Sequence, residues 1–548
     1  MTEAAALPLA GPGAETRAAD ARLARSTAVI TAWNTASRLT GFVRVMAVAA
    51  ALGATFLGNT YQSANLVSNI LFDLLAAGLL AAPLVPAFVE LHDVDLGDEA
   101  ERLAGTLLSL AVLALGSVTI VTVAAARPVM RLLTTGVADP GVRGQEVALG
   151  AFLLWFFVPQ LLLYAVGAVA TALLNARRRF AAAAAAPVAN NVVVVATMAC
   201  FLALRRRYGV GLGLAMPLKL LLAVGTTGGV LAMTAVPLLA LRRSGLRLRP
   251  RWQLSDPRLR QVGRVGAWGA AYLATSQMLL AVTLVLANRV AGGVVAYQVA
   301  WTFVLLPHAL LAHPMFTALY PRLAAHAHRG DWDRFGRDVA AGTRTTAAVI
   351  LPASALLVAL GGPALRLVRA GQLNLSGAGL VGRVLAAYAA GLVGYSVLLL
   401  LVRAATAAGQ ARLAAAVGAA VGGVGVVLML AGSSAAHGGD RVVVLGAANS
   451  IVMLGGAASL YALLRRRTAV ATPPILAGIA RSAATAVAGG AAGAAVVAAI
   501  GEGAGRGHSL VALVAGGTAA VAAMLATLLV LRAPELRRRS VRDLFDLP

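Results

Sequence analysis

Arg38 and Arg44 lie in an apolar run near the start of the chain, and the next apolar run carries Asn59, Gln62, Asn65, Asn69 and Asp73. An ionisable side chain costs roughly 3 kcal/mol at the centre of a bilayer, so such groups line water or pair inside a protein. At 100° per residue Gln62, Asn65, Asn69 and Asp73 fall within about 80° of one another, on one face of a helix. That face cannot look at lipid, and the pattern predicts a transport-type chain with a polar cavity in its first part. Arg38 and Arg44 are about 120° apart on an ideal helix, so both reach one cavity only if Gly41 permits a bend. Otherwise one of them caps or pairs within the fold, with Asp73 as the candidate partner.

The elements that must position these residues are membrane helices. The chain of 548 residues is 59% hydrophobic and 12% charged, with a mean hydropathy of +0.83. Its apolar runs follow one another with short polar breaks, each long enough to cross a hydrocarbon core of about 30 Å. The expectation is an all-α, polytopic membrane protein with about fourteen spans: 27–51, 57–90, 104–124, 148–173, 181–204, 212–241, 265–287, 293–321, 345–361, 384–402, 413–431, 442–464, 482–500 and 509–531. Residues 1–26 form a tail without the apolar core of a signal peptide, so the first span is expected to direct insertion.

The formal charge of +25 would suit nucleic acid, but its distribution argues against that partner. With the N-terminus inside, inner segments hold 31 arginines and outer segments 12, Arg38 and Arg44 lie in the first span, and Lys219 is the only lysine. That is the positive-inside pattern, with both termini cytoplasmic and some attraction to anionic membrane lipids. The inner segment 242–264 carries eight arginines and divides a lobe of six spans (27–241) from a second lobe (265–466). Spans 13 and 14 follow (467–535), then a basic tail, 536–548. Two lobes around a midplane site is a plan used by secondary transporters. In the last two spans, runs such as Ala488-Gly489-Gly490-Ala491-Ala492-Gly493 allow close helix packing, which is favoured here over a lipid-binding groove.

Enzyme chemistry finds little support. Cys200 lies alone in an apolar run, which excludes a disulfide framework and reads as a core cysteine. The histidines are scattered, none with acids at metal-ligand spacing within a span; His326 and His328 share a loop with Arg329, Asp331, Asp333 and Arg334 and read as solvated, like the acidic run from Asp93 to Glu101. No P-loop sequence is present. No metal, cofactor or covalent chemistry is expected.

Several stretches resemble a known family. Ser37-Arg38-Leu39-Thr40-Gly41-Phe42-Val43-Arg44 with Leu52-Gly53-Ala54, then Asn69, Gly78 and Leu84-Val85-Pro86, are similar to the first two helices of the MurJ/MviN lipid II flippases of the multidrug/oligosaccharidyl-lipid/polysaccharide exporter superfamily. The most specific piece is Leu174-Asn175-Ala176-Arg177-Arg178-Arg179-Phe180 with Ala186-Pro187 and Asn190-Asn191, which resembles the family's loop between helices four and five. Weaker matches are Thr227–Leu231, Leu319–Leu323 and Gly391–Gly394. The resemblance covers about residues 27–466, and the last two spans by architecture only.

The resemblance implies an alternating-access carrier of the bacterial cytoplasmic membrane that moves lipid II, the undecaprenyl-pyrophosphate-linked peptidoglycan precursor. Cavity cations would engage the diphosphate, for which Arg offers a planar fork of donors, and helices thirteen and fourteen would cradle the lipid tail. Arg38, Arg44, Asn59, Gln62, Asn65, Asn69 and Asp73 are the expected substrate-contacting residues. Asn175, Arg179, Pro187 and Asn190 are expected to be structural residues of the loop or gate, with Asn190 and Asn191, just inside the fifth span, open between that role and substrate contact.

This chain also departs from the family pattern. Val45 stands where the family has Asp, Asn59 where it has an acid, Phe72 and Asp73 where it has a basic pair, and Ala77 where it has Glu; Trp301, Thr302 and Leu305 fall opposite charged positions of the eighth helix. Alternatives therefore stay open: an exporter of another polyprenyl-linked glycan or an amphipathic drug, or a non-transporting scaffold bound to cell-wall synthesis proteins.

Overall fold

The computed structural model describes residues 12–76, 97–177, 179–208, 211–246, 248–251, 273–466, 473–501, 503 and 505–531. The expectations for Ala77, Gly78, Leu84–Pro86, Asp93, Asp95, Arg178, most of the 242–264 linker and the tail 536–548 lie outside them. The described elements are α1 (Pro12–Leu52), α2 (Phe56–Ala76), α3 (Gly97–Ala124), α4 (Ala126–Leu133), α5 (Pro140–Phe157), α6 (Gln160–Ala176), α7 (Phe180–Tyr208), α8 (Met216–Arg243) and α9 (Leu273–Ala287). There follow α10 (Gly293–Pro307), α11 (His313–His328), α12 (Trp332–Val368), α13 (Leu375–Ala389), α14 (Leu392–Ala407), α15 (Ala411–Ala435), α16 (Asp440–Arg465), α17 (Pro473–Ile500) and α18 (Arg506–Val530).

The protein is all-α and polytopic. Eleven helical segments among the described residues are long and apolar enough to cross a membrane, twelve with the bent pair α13–α14 taken as one span. The expected fourteen is thus approximate; α2 and α9 both abut segments outside the described residues. Helix starts follow capping chemistry: Asp139 accepts from the Gly141 and Val142 amides ahead of Pro140, Asn374 from Gly377, and Asp331 from Arg334. A single π turn, His308–Ala312, joins α10 to α11 between Pro307 and Pro314, so these form one continuous crossing over 293–328.

Helices α1–α8 pack chiefly on one another, as do α9–α18. Water exclusion gives no drive between helices in lipid, so small residues set the approach. Gly225 faces Thr197, and Gly229 faces Asn190 and Val194, where α8 meets α7. In α17, Gly489 and Gly493 meet Met524 and Ala520 of α18, as expected for small-residue packing. The other side of α17 corrects the expectation: with α12 it lines an apolar groove of about 880 Å³ from Leu351 to Gly501, with Arg366 in its wall. Close packing occupies one side of α17 and an open groove the other. Cys200 is exposed on α7, not a core residue; the outward face of a membrane helix is as apolar as its core, so an apolar run does not imply burial.

The two helix groups are tied at one end, where α1 turns into α2. The Ala50 carbonyl accepts from the Gln372 amide at 2.7 Å. Gly53, with φ +72°, ends α1 against Gln372, and Gly292, with φ +74°, packs on the Ala54 backbone. A Cβ at either place would collide, and the positive φ independently selects glycine. Asn59 is fully buried; its Nδ2 donates to the Val290 carbonyl at 2.8 Å and its Oδ1 accepts from the Val294 amide at 3.0 Å. One turn on, Ser63 bonds the Asn288 side chain, whose Nδ2 lies 2.9 Å from Ser63 Oγ. Within the first group, buried Arg205 donates to the Ala51 carbonyl at 2.7 Å and holds the end of α1.

Asn59→Ala would orphan the Val294 amide in a water-poor interface and remove one of two bonds to the Val290 carbonyl, which keeps the Gly293 amide. We expect a loss of about 1–3 kcal/mol of stability, read as a lower midpoint of thermal unfolding of the purified chain. Asn65→Ala, which breaks no such tie, should leave the midpoint within the error of the wild-type value.

Candidate functional site

Arg44 lies on the face of α1 turned toward α2 and α10, not toward lipid. It lines a small cavity of about 30 Å³ with Tyr61, Gln62, Asn65 and Asn69 of α2, Val194 of α7 and Gln298 of α10. The sequence-derived polar stripe is therefore in place: three of its four members and Arg44 share one chamber, closed by a glutamine from the other helix group. A space of this size holds about one water molecule, far less than a sugar-linked diphosphate, so the chamber must widen to take a head group. Tyr61, buried against Phe157, bonds Thr226 of α8 at 2.8 Å and forms the chamber floor.

Arg38 is exposed, nearer the start of α1. It faces a cationic cluster that the sequence reading did not assemble. Its charge and that of Arg403 of α14 act on both His308 and His313. Arg403 Nη2 lies 3.5 Å from His313 Nδ1 and its guanidinium stacks 5.4 Å from the Phe316 ring centre. His308 Nδ1 is 3.0 Å from Ser396 Oγ. Between the two arginines of α1, Phe42 meets Phe303 edge-on at 5.0 Å. Helix α1 runs through Gly41 without a break, so Arg38 and Arg44 reach the interface at different depths. Arg44 lines the small chamber, and Arg38 lies outside it.

The π turn explains why the histidines looked scattered. His308 and His313 would point about 140° apart on an ideal α-helix. Here the His313 amide donates to the His308 carbonyl across the wider turn, and both rings come to the same side. Trp301, opposite a charged family position, packs edge-on against Tyr388 at 5.6 Å and Tyr395 at 5.7 Å. An aromatic wall thus stands where the family pattern has an ion pair.

Two expectations are corrected. Asn59 is spent on the tie to Val290 and Val294 and presents no free group to a substrate. Asp73 is exposed and accepts from Gln277 Nε2 of α9 at 3.0 Å, and among the described residues no ion pair joins it to Arg38 or Arg44. Asn175 is exposed in the last turn of α6, and Arg179 Nη1 donates to Ser244 Oγ at 2.8 Å, pinning the α6–α7 turn to the end of α8. Pro187 sits inside α7, and Asn190 is wedged against Gly229. Asn191 Nδ2 donates to the Ser37 carbonyl and to Thr40 Oγ1 at 3.2 and 3.0 Å, holding α1 on both sides of Arg38.

Glu146 was missed because the sequence reading began its span at residue 148. It is fully buried within α5, and Thr60 Oγ1 donates to its Oε1 at 3.1 Å. Among the described residues no three His, Cys, Asp or Glu side chains come together as a metal site.

Comparison with known proteins decides the family. The family model described as "Lipid II flippase MurJ" matches residues 48–516. The chain belongs to the MurJ family. A probable lipid II flippase MurJ of Rhizobium meliloti (strain 1021) is 25% identical over 364 residues, which is 65% of this chain and 65% of the relative. Among solved structures, a lipid II flippase MurJ in an inward closed conformation superposes with a TM-score of 0.73 at 16% identity, over 92% of this chain and 99% of that one. An inward-facing multidrug resistance MATE family transporter of the MOP superfamily gives 0.65 at 13% identity, over 79% and 94%. At these identities the superpositions carry the fold, and the family model carries the membership.

The Asp73 geometry gives a direct check. A double-mutant cycle between Asp73→Ala and Gln277→Ala should show a coupling of about 1 kcal/mol in unfolding stability. The corresponding cycle between Asp73→Ala and Arg44→Ala should show none.

Proposed function

We propose that this MurJ-family chain is a lipid II flippase-type carrier of the bacterial cytoplasmic membrane, with both termini cytoplasmic. The observation that carries the reading is the set of three arginines on one inter-lobe path, Arg38 and Arg44 from α1 and Arg403 from α14, with the His308 and His313 rings beside Arg403 as further polar groups. A diphosphate entering a low-dielectric path needs several cations, because water cannot follow to screen it. The first helix group and the second act as rocking lobes, with the tie at the α1–α2 turn closed in this state. Arg38, exposed at the other end, meets the diphosphate first, and Arg44 receives it once the chamber opens. Gln62, Asn65, Asn69 and Gln298 supply neutral donors and acceptors to the head group. The groove between α12 and α17 accepts the polyprenyl tail, which never leaves an apolar environment. No covalent step is involved.

Loss of several family charges is offset in part in this reading by Arg403. Replacing a cation that touches a phosphate removes about 1.5–3 kcal/mol of charge-assisted bonding, or about 10- to 150-fold in rate if the contact strengthens during crossing. Arg44→Ala and Arg38→Ala should therefore abolish growth of a flippase-depleted bacterium at normal protein level, and Arg403→Ala should impair it. The readout is complementation together with lipid II exposed at the outer surface. Wild-type complementation by both α1 variants would overturn the carrier reading and leave that of a scaffold.

A further inference from the structure

A second cationic pocket lies away from the transport path, between the last turns of α11 and the first turns of α12. It has a volume of about 660 Å³ and is lined by Arg322, His326, Arg329, Arg334, Arg337 and Asp338. The acid of its lining, Asp338, is already engaged, and Asp333 lies outside the lining. Asp338 accepts from Arg322 Nη2 at 3.0 Å and faces His326 Nε2 at 3.5 Å. Asp331 caps α12 and lies 3.3 Å from Arg334 Nε. Arg329 and Arg337 remain exposed, with no acid at ion-pair distance among the described residues. A concave site with two unpaired guanidinium groups, backed by a braced Arg–Asp–His set, has the chemistry of a phosphate receptor.

Its depth selects the source of the phosphate. Tyr320 and Trp332 flank the pocket and are 39% and 38% exposed. Both are amphipathic rings at the end of long apolar crossings, the position such side chains take at the headgroup layer. The crossing over 293–328 begins at the tied end, so this pocket lies at the opposite end; Arg205 holds the last turns of α7 at the tie, which places Arg177, Arg179 and Arg243 at the pocket's end as well. By the positive-inside distribution that is the cytoplasmic face, where anionic lipid attracts basic pockets.

We propose that this pocket binds the phosphate of an anionic phospholipid headgroup, with Arg329 and Arg337 as its principal ligands. Arg322 and His326 position the wall through Asp338. The site is separate from Arg38, Arg44 and Arg403, so its failure would leave the transport reading untouched.

The test uses the full chain in zwitterionic phosphatidylcholine nanodiscs, titrated with dioleoylphosphatidylglycerol and read by native mass spectrometry. The variant Arg329→Gln/Arg337→Gln breaks no ion pair seen in the structure. Arg177→Gln/Arg412→Gln removes two charges from the same face outside the pocket. Because Arg329 and Arg337 touch the phosphate and Arg177 and Arg412 do not, the pocket variant should bind phosphatidylglycerol about thirtyfold more weakly, while the control variant stays within a factor of about three of the wild type. Equal loss in both variants, or no loss in the pocket variant, would overturn the site. Displacement of the lipid by millimolar inorganic phosphate would assign the pocket to a soluble anion and overturn the lipid assignment.

Discussion

A polar group inside a hydrocarbon slab has no water to bond, so it must find a partner in the protein or pay several kcal/mol. Helix α2 is where this constraint bears hardest, because its polar residues run from the α1–α2 turn far into the membrane. Their partners lie in the other helix group: the Val290 carbonyl and Val294 amide for Asn59, Asn288 for Ser63, and Gln277 for Asp73. These bonds fix α2 against α9 and α10. They also decide where Arg44 ends up, since its chamber is the space left between that contact and α1.

The same constraint sets what can move. Backbone contacts through Gly53, Gly292 and Gln372 close the path at one end, while Arg38 stands exposed toward the other. The hydrogen bonds at the closed end lie beside buried Leu52, Leu57, Val294 and Val295, so opening there must exchange the bonds for a competing set and also wet an apolar contact. Asn191 holds α1 to α7 at Ser37 and Thr40, so α1 travels with its own group and carries both arginines along. The aromatic wall of Trp301, Tyr388 and Tyr395 keeps the facing side of the path stiff without adding charge.

Much of this was legible in the sequence. The helical class followed from apolar run length, and the Gln62–Asn65–Asn69 face from angular spacing. The family followed from local motifs such as Leu174–Phe180. What escaped has physical causes. Partner choice is tertiary: nothing in the local sequence says that Asn59 meets Val290 or that Asp73 prefers Gln277 to an arginine. The π turn at His308–Ala312 changes the register that a fixed 100° step assumes, which hid the histidine pair and its approach to Arg403. Glu146 fell just outside an apolar window because a charged residue lowers the hydropathy of the very turn it occupies. Exposure of Cys200 escaped because lipid-facing and core-facing residues share one composition. The α12–α17 groove escaped because small residues serve close packing and hollow surfaces alike.

The central claim is that the tie at the α1–α2 turn and the opening at the other end are two states of one rocking motion. The most direct measurement is a pair of spin-label distances in lipid nanodiscs, one between positions 55 and 375 across the tie, the other between positions 177 and 412 at the opposite end. Added lipid II should lengthen the first distance and shorten the second in the same fraction of molecules, because a ligand shifts populations only through differential affinity for the states. Two distances that stay fixed, or that change independently of each other, would contradict it.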